Sequence, residues 1–124
     1  MSAADDRIVA AVDDMFFAAK IRGAAEQTGR RLEFVKSRAE LDQNLASGPP
    51  AMILLDLNSE RLEPIGIIRS LKSDPKLSAI PILGFLSHVQ TDLKSQAEEA
   101  GCDRVMPRSA FSQRLPELLS GKAV

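Results

Sequence analysis

The sequence holds one cysteine, Cys102, and one histidine, His88, among 124 residues. A lone cysteine excludes an internal disulfide and fits a reducing compartment. A lone histidine with no second soft ligand argues against a zinc-type site. No charge dominates: 16 basic and 17 acidic residues leave a formal net charge of -1. That balance supplies no global field for nucleic acid or an anionic membrane, so sequence-independent binding of either is not expected. No apolar run approaches the ~20 residues of a membrane span. The N-terminal MSAADDR lacks the basic and apolar regions of a signal peptide. No Gly-rich loop follows the first apolar run to cradle a nucleotide phosphate. There is no repeat, low-complexity segment or linker. The expectation is a soluble, cytoplasmic chain of one domain over 1–124, with its core at about 7–119 and short loose termini. Its 44% hydrophobic content suits a domain of this size, which buries most of its unfolded surface without a structural metal.

Short apolar runs alternate with longer amphipathic ones. Ile8-Val9-Ala10-Ala11-Val12 reads as a buried strand stopped by Asp13-Asp14. Phe17, Ile21, Ala24, Ala25 and Thr28 follow helical spacing, with Gly29 as a C-terminal stop. Leu32 to Val35 is a second strand. Ser37-Arg38-Ala39-Glu40 has the form of a capping box, with Leu41 and Leu45 behind it. Gly48-Pro49-Pro50 leads into a third strand, Ala51-Met52-Ile53-Leu54-Leu55-Asp56-Leu57-Asn58. Pro64 opens a helix carrying Ile67, Ile68 and Leu71, and Pro75 closes it. Ile80 to Leu86 is a fourth strand, with Pro81 near its start where a missing N–H is tolerable. Thr91 to Ala100 is a helix ended by Gly101. Arg104-Val105-Met106 is a fifth strand, and Phe111, Leu115, Leu118 and Leu119 mark a last helix.

Five continuously apolar strands in βα alternation suit a parallel sheet covered on both faces. The fold class expected is α/β: a doubly wound (βα)5 flavodoxin-like three-layer sandwich, for which strand order 2-1-3-4-5 would make strands one and three neighbours. In such a sheet ligands bind outside the carboxyl ends of the strands at the switch point. Asp13-Asp14 ends the first strand and Asp56 the third; if strands one and three are neighbours, as in that order, all three acids converge on one crevice. Leu86-Ser87-His88 and Arg108 close the other side. Singly, each acid reads as a turn or helix-cap residue. Together they repel, and a hard divalent cation with oxygen ligands is the simplest remedy. A carboxylate beside metal and cation is also placed to attack a phosphoryl group.

These motifs resemble the receiver domain of bacterial response regulators, including the single-domain chemotaxis type, over about Arg7 to Leu119. Val12-Asp13-Asp14 is similar to the acidic pair, and Leu54-Leu55-Asp56-Leu57-Asn58 to the phosphoacceptor strand. Ala100-Gly101-Cys102-Asp103 is similar to the signature before the fifth strand. The resemblance implies phosphorylation of Asp56 by a histidine kinase or phosphotransfer protein in a two-component phosphorelay. It implies Mg²⁺ held by Asp14, Asp56 and the Asn58 backbone carbonyl, with Asp13 acting through water. Output would leave by protein contact through the face of helix four, strand five and helix five, with no direct nucleic acid.

Three positions depart from the family pattern. Counting back from Gly101 without a gap puts Leu86 where the family has Thr or Ser, and Ser87 one place late. Arg108-Ser109 replaces Lys-Pro. Pro107 precedes the cation, and a cis bond before Ser109 costs about 3 kcal/mol. Val105 replaces the aromatic switch residue. The changes spare the acids and touch the readout. Two functions stay open: a phospho-receiver with altered switching, and a phosphorylation-independent pseudo-receiver that serves as an interaction module. Asp56-Leu57-Asn58 also resembles the nucleophile motif of haloacid-dehalogenase-type phosphatases, but Asn58 cannot serve as their general acid. No enzymatic activity beyond self-phosphorylation and autodephosphorylation is expected.

His88 reads as an exposed loop residue, and Cys102 as a buried small hydrophobe. Phe17 belongs to the core stripe of the first helix; Phe16 reads as core filling, with a place at the crevice rim as the alternative. Lys94, Arg104, Arg108 and Arg114 are spread over the expected output side.

Overall fold

A computed structural model describes residues 7–87 and 90–120. The elements are β1 (Ile8–Ala11), α1 (Met15–Thr28), β2 (Leu32–Val35), α2 (Arg38–Leu45), β3 (Met52–Asp56), α3 (Pro64–Lys72), β4 (Ile82–Leu86), α4 (Thr91–Ala100), β5 (Arg104–Pro107), α5 (Arg108–Gln113) and α6 (Leu115–Leu119). All strands run parallel in one sheet, order β2-β1-β3-β4-β5. Neighbours in register include Ala11 with Leu55 and Asp56 with Phe85. No helix among the described residues is long and apolar enough to cross a membrane.

Alternation along the strands builds two cores. Val9, Ala11, Ile53, Leu55 and Leu86 point to one face, against Leu41, Ile67, Ile68, Leu71 and Ala97 of α2, α3 and α4. Ile8, Ala10, Leu54, Phe85 and Met106 point to the other, against Phe17, Ile21, Phe111, Leu115 and Leu118 of α1, α5 and α6. Both faces of β1, β3 and β4 are therefore dry, which is why those strands are apolar throughout.

Local chemistry sets the element ends. Asp14 caps α1, its Oδ1 accepting from the backbone of Phe16 and Phe17. Gly29 closes the helix at φ 71°. Ser37 accepts from Glu40 N, and Glu40 Oε1 accepts from Lys36 N, so the expected capping box forms with its return bond one residue early. The last helix differs from expectation. It begins at Arg108 and splits at Arg114, because Pro116 brings no N–H to continue the first segment.

Gly84, inside β4, leaves room for the α3–α4 core. A Cβ there would stand 2.9 Å from Leu57 Cδ1 and 3.2 Å from Cys102 Sγ. Gly84→Ala is expected to destabilise the protein by about 1–3 kcal/mol through overpacking, read as a lower urea midpoint. Cys102 is buried as expected, its Sγ 3.2 Å from Arg104 O, and burial pushes its thiol pKa up. The exposed half of the Phe pair departs from expectation. Phe17 is core, but Phe16 is 91% exposed, because the first turn of α1 turns consecutive residues about 100° apart.

Candidate functional site

The strand order brings the carboxyl ends of β1 and β3 side by side, so Asp14 and Asp56 face one crevice; the expected convergence of Asp13 on the same point is not seen. Asp56 is the last residue of β3 and is 2% exposed. Its Oδ1 accepts from Asn58 N at 2.9 Å. Arg108 lies at the first position of α5, directly after β5. Its Nη2 donates to both oxygens of Asp56 at 3.3 Å, and its Nη1 to Asp14 Oδ2 at 3.4 Å. One guanidinium thus bridges two acids. Asp13 faces elsewhere: its Oδ2 accepts from Ser59 Oγ at 3.2 Å, and its Oδ1 lies 3.7 Å from Arg61 Nη1.

The guanidinium rests on aromatic rings. Arg108 Cζ is 5.1 Å from the Phe17 centroid and 5.8 Å from that of Phe85. Phe85 stacks in turn on Phe17 and Phe111, at 4.7 and 4.5 Å between centroids. A cation over such faces gains about 0.5–2 kcal/mol. Arg108 Nε is buried and has no hydrogen-bond partner among the described residues. Burial is the largest influence on Asp56 and raises its pKa above the usual 3.8; the Asn58 N–H and Arg108 oppose that shift, and Asp14 adds to it.

The pleat decides which residue of β4 faces this crevice. Asp56 is in register with Phe85, and both lie on the α1–α5 side. Leu86 is 3% exposed and packs in the opposite core. The gap-free count that put Leu86 at the hydroxyl position is therefore corrected: Leu86 faces α3 and α4. Ser87 is the next position on Asp56's side. Its hydroxyl donates to Asn58 Oδ1 at 3.0 Å, and its backbone N–H to the same oxygen at 2.6 Å. Asn58 Nδ2 donates to Gln90 Oε1 at 2.7 Å. His88 lies outside the described residues. No peptide bond among the described residues is cis.

The side-chain role of Asn58 was missed from sequence, where only its carbonyl was assigned. It ties the loop after β3 to the segment leading into α4. Asn58→Ala is expected to cost about 1 kcal/mol, and to speed exchange of the Ser87 amide roughly fivefold. Hydrogen exchange at that amide is the readout. Ser59, Arg61 and the Phe17–Phe85 shelf were also missed, since nothing in their spacing marks them.

The donor set consists of oxygens only: three carboxylates and a carbonyl, the chemistry of a hard cation. The charge also suits one, since Arg108 and Arg61 leave one negative charge uncompensated among the three acids. As arranged, the described residues hold no group of three His, Cys, Asp or Glu placed around a common metal position. The guanidinium occupies the space between Asp14 and Asp56. On the far side of β4, a groove of about 390 Å³ is lined by Leu86, Val105, Met106 and Pro107, with Thr91 and Lys94 of α4 at its edge.

No protein-family model and no curated protein matches the sequence. Solved structures match the fold along nearly the whole chain. A response regulator from Hahella chejuensis superposes with a TM-score of 0.85 at 20% identity, covering 97% of this chain and 96% of that one. The phosphorylated cyanobacterial phytochrome response regulator RcpA gives 0.80 at 21%, covering 95% and 91%. The Mn(2+)-bound form of response regulator Rcp1 gives 0.75 at 17%, covering 94% and 90%. At these identities the likeness is one of fold. The chain has the five-stranded architecture of response-regulator receiver domains.

Proposed function

We propose that the chain is a receiver that accepts a phosphoryl group on Asp56 and signals by protein contact. The observation that carries this reading is the bridge: Arg108 donates to both oxygens of a nearly fully buried Asp56 and to Asp14. A structural role for Asp56 alone leaves the convergence of a second acid, Asp14, on the same guanidinium unexplained.

The donor is a phosphohistidine of a kinase or phosphotransfer protein, or a small acyl phosphate. An Asp56 oxygen forms the new O–P bond as the bond from phosphorus to the donor breaks. The donor leaves with the electron pair; an imidazole takes a proton from solvent. Arg108 sits where it can pair with the phosphoryl oxygens, and its planar fork suits that geometry. Mg²⁺ would be held by Asp14, Asp56 and the Asn58 carbonyl, with Asp13 through water. When bound it supplies neutralisation of the phosphoryl charge. The Mn(2+)-bound neighbour supports a divalent ion in this fold.

Output runs through α4, β5 and α5, where the groove beside Val105 offers an apolar floor with Lys94 at its edge. The cytoplasm, where such kinases act, is the proposed location. Catalysis is limited to self-phosphorylation and autodephosphorylation.

Incubation with Mg²⁺ and acetyl phosphate followed by intact mass tests the reading. A phosphate adduct in the wild type supports it. Its absence, with partner binding indifferent to phosphodonor, moves the chain to the phosphorylation-independent interaction module.

A further inference from the structure

We infer that Arg108 is a resident counter-ion which a divalent cation must displace, so that this one side chain sets the metal affinity of the crevice. The inference rests on the receiver reading of the same site. It begins from occupancy. Nη2 takes both oxygens of Asp56, and Nη1 takes Asp14 Oδ2. Asp14 Oδ1 is committed to the first turn of α1, and Asp56 Oδ1 also accepts from Asn58 N. A hard cation needs six or more oxygen ligands at 2.0–2.6 Å. The two best-placed carboxylates therefore cannot face a metal while the guanidinium stands between them. The charge argument has the same sign: a positive group within hydrogen-bond reach of both acids repels an incoming cation, most strongly beside the buried Asp56.

The guanidinium is held loosely enough to leave. Its bonds of 3.3–3.4 Å exceed the 2.7–2.9 Å of strong charge-assisted pairs. Its side chain is 29% exposed, so a path to solvent exists. Nε brings no hydrogen bond from the described residues that would resist the motion. The rings of Phe17 and Phe85 hold the cation by their faces, which set no fixed direction in their plane. Exchange of guanidinium for metal is a short displacement along that shelf. Asp13 is the remaining acid, and its partners Ser59 and Arg61 lie on the other side of the crevice.

The test is metal binding by the unphosphorylated protein, with no phosphodonor present. Mn²⁺ is titrated by calorimetry into the wild type, Arg108→Gln and Arg108→Lys at pH 7. Arg108→Gln is expected to bind at least tenfold more tightly than the wild type, and Arg108→Lys to stay within about threefold because the charge remains. Adding Asp14→Asn to Arg108→Gln is expected to abolish the gain, which places the ion in this crevice. Equal or weaker binding by Arg108→Gln overturns the proposal, as does failure of both proteins to bind. The Arg108 Nε–H NMR signal of the wild type gives an independent reading should a variant not fold. It is expected to shift along the Mg²⁺ binding isotherm. A signal unmoved at saturating Mg²⁺ overturns the proposal. Either result leaves the phosphate adduct on Asp56 free to appear or not, so failure here and failure of the receiver reading are distinguishable.

Discussion

Asp56→Asn is expected to abolish the phosphate adduct and, in the same protein, to stabilise the fold near neutral pH. The first effect follows from chemistry: a carboxamide oxygen is not the nucleophile a phosphoryl transfer needs. The second follows from burial. Desolvation raises the Asp56 pKa above 3.8 despite the Asn58 N–H and Arg108. The folded protein therefore holds this proton more tightly than the unfolded chain does. The stability from the protonated form is complete below the unfolded value and is lost as pH rises through the folded one. Asparagine stands in for the uncharged acid at every pH. Without metal, the variant should unfold at higher urea concentration than wild type at pH 7, and the gap should close as pH falls below 3.8. A lower midpoint for the variant at pH 7 would show that pairing with Arg108 outweighs the cost of burial. An adduct retained in the variant would place the phosphoryl group on another residue.

Phe85→Ala should be among the most destabilising single changes in the protein, at about 3–5 kcal/mol. Phe85 is fully buried on β4, stacked against Phe17 and Phe111. Truncation leaves a cavity flanked by two rings that each lose a stacking partner. A domain of this size has roughly 5–15 kcal/mol to lose, so the variant should be near its threshold. The readout is a large drop in urea midpoint at unchanged m-value. Phe85→Leu keeps most of the volume and should cost under about 1.5 kcal/mol. That milder variant also removes one ring from beneath Arg108. A Phe85→Ala cost below 1 kcal/mol would mean the ring cluster contributes little to the core.

Much of the architecture was legible without coordinates. Ile8 to Val12, Met52 to Leu55 and Ile82 to Leu86 are apolar at every position because helices cover both faces, as in the parallel sheets of α/β folds. Strand-end acids mark the crevice for the same reason: charge is tolerable only where the strand meets water. The last helix was misjudged because the apolar spacing of Phe111, Leu115 and Leu118 runs unbroken across Pro116, while the backbone does not. Leu86 was misplaced because a count back from Gly101 crosses α4 and the segment between β4 and α4, whose length it cannot check, and one residue of error reverses a strand's faces.

The chain by itself determined five strands in βα alternation and the strand-end placement of Asp14 and Asp56, which follow from periodicity and from the burial that periodicity demands. The strand order was implied by the receiver-like pattern of the motifs. Only the tertiary structure decided what the acids face. Arg108 follows Asp56 by 52 positions and Asp14 by 94, and no local rule links them. The parallel register of β3, β4 and β5 brings these side chains to one rim. The Phe17–Phe85 shelf then directs the guanidinium between the carboxylates. Contacts of that kind depend on the direction of a few long side chains at strand ends, which packing sets and local sequence does not encode.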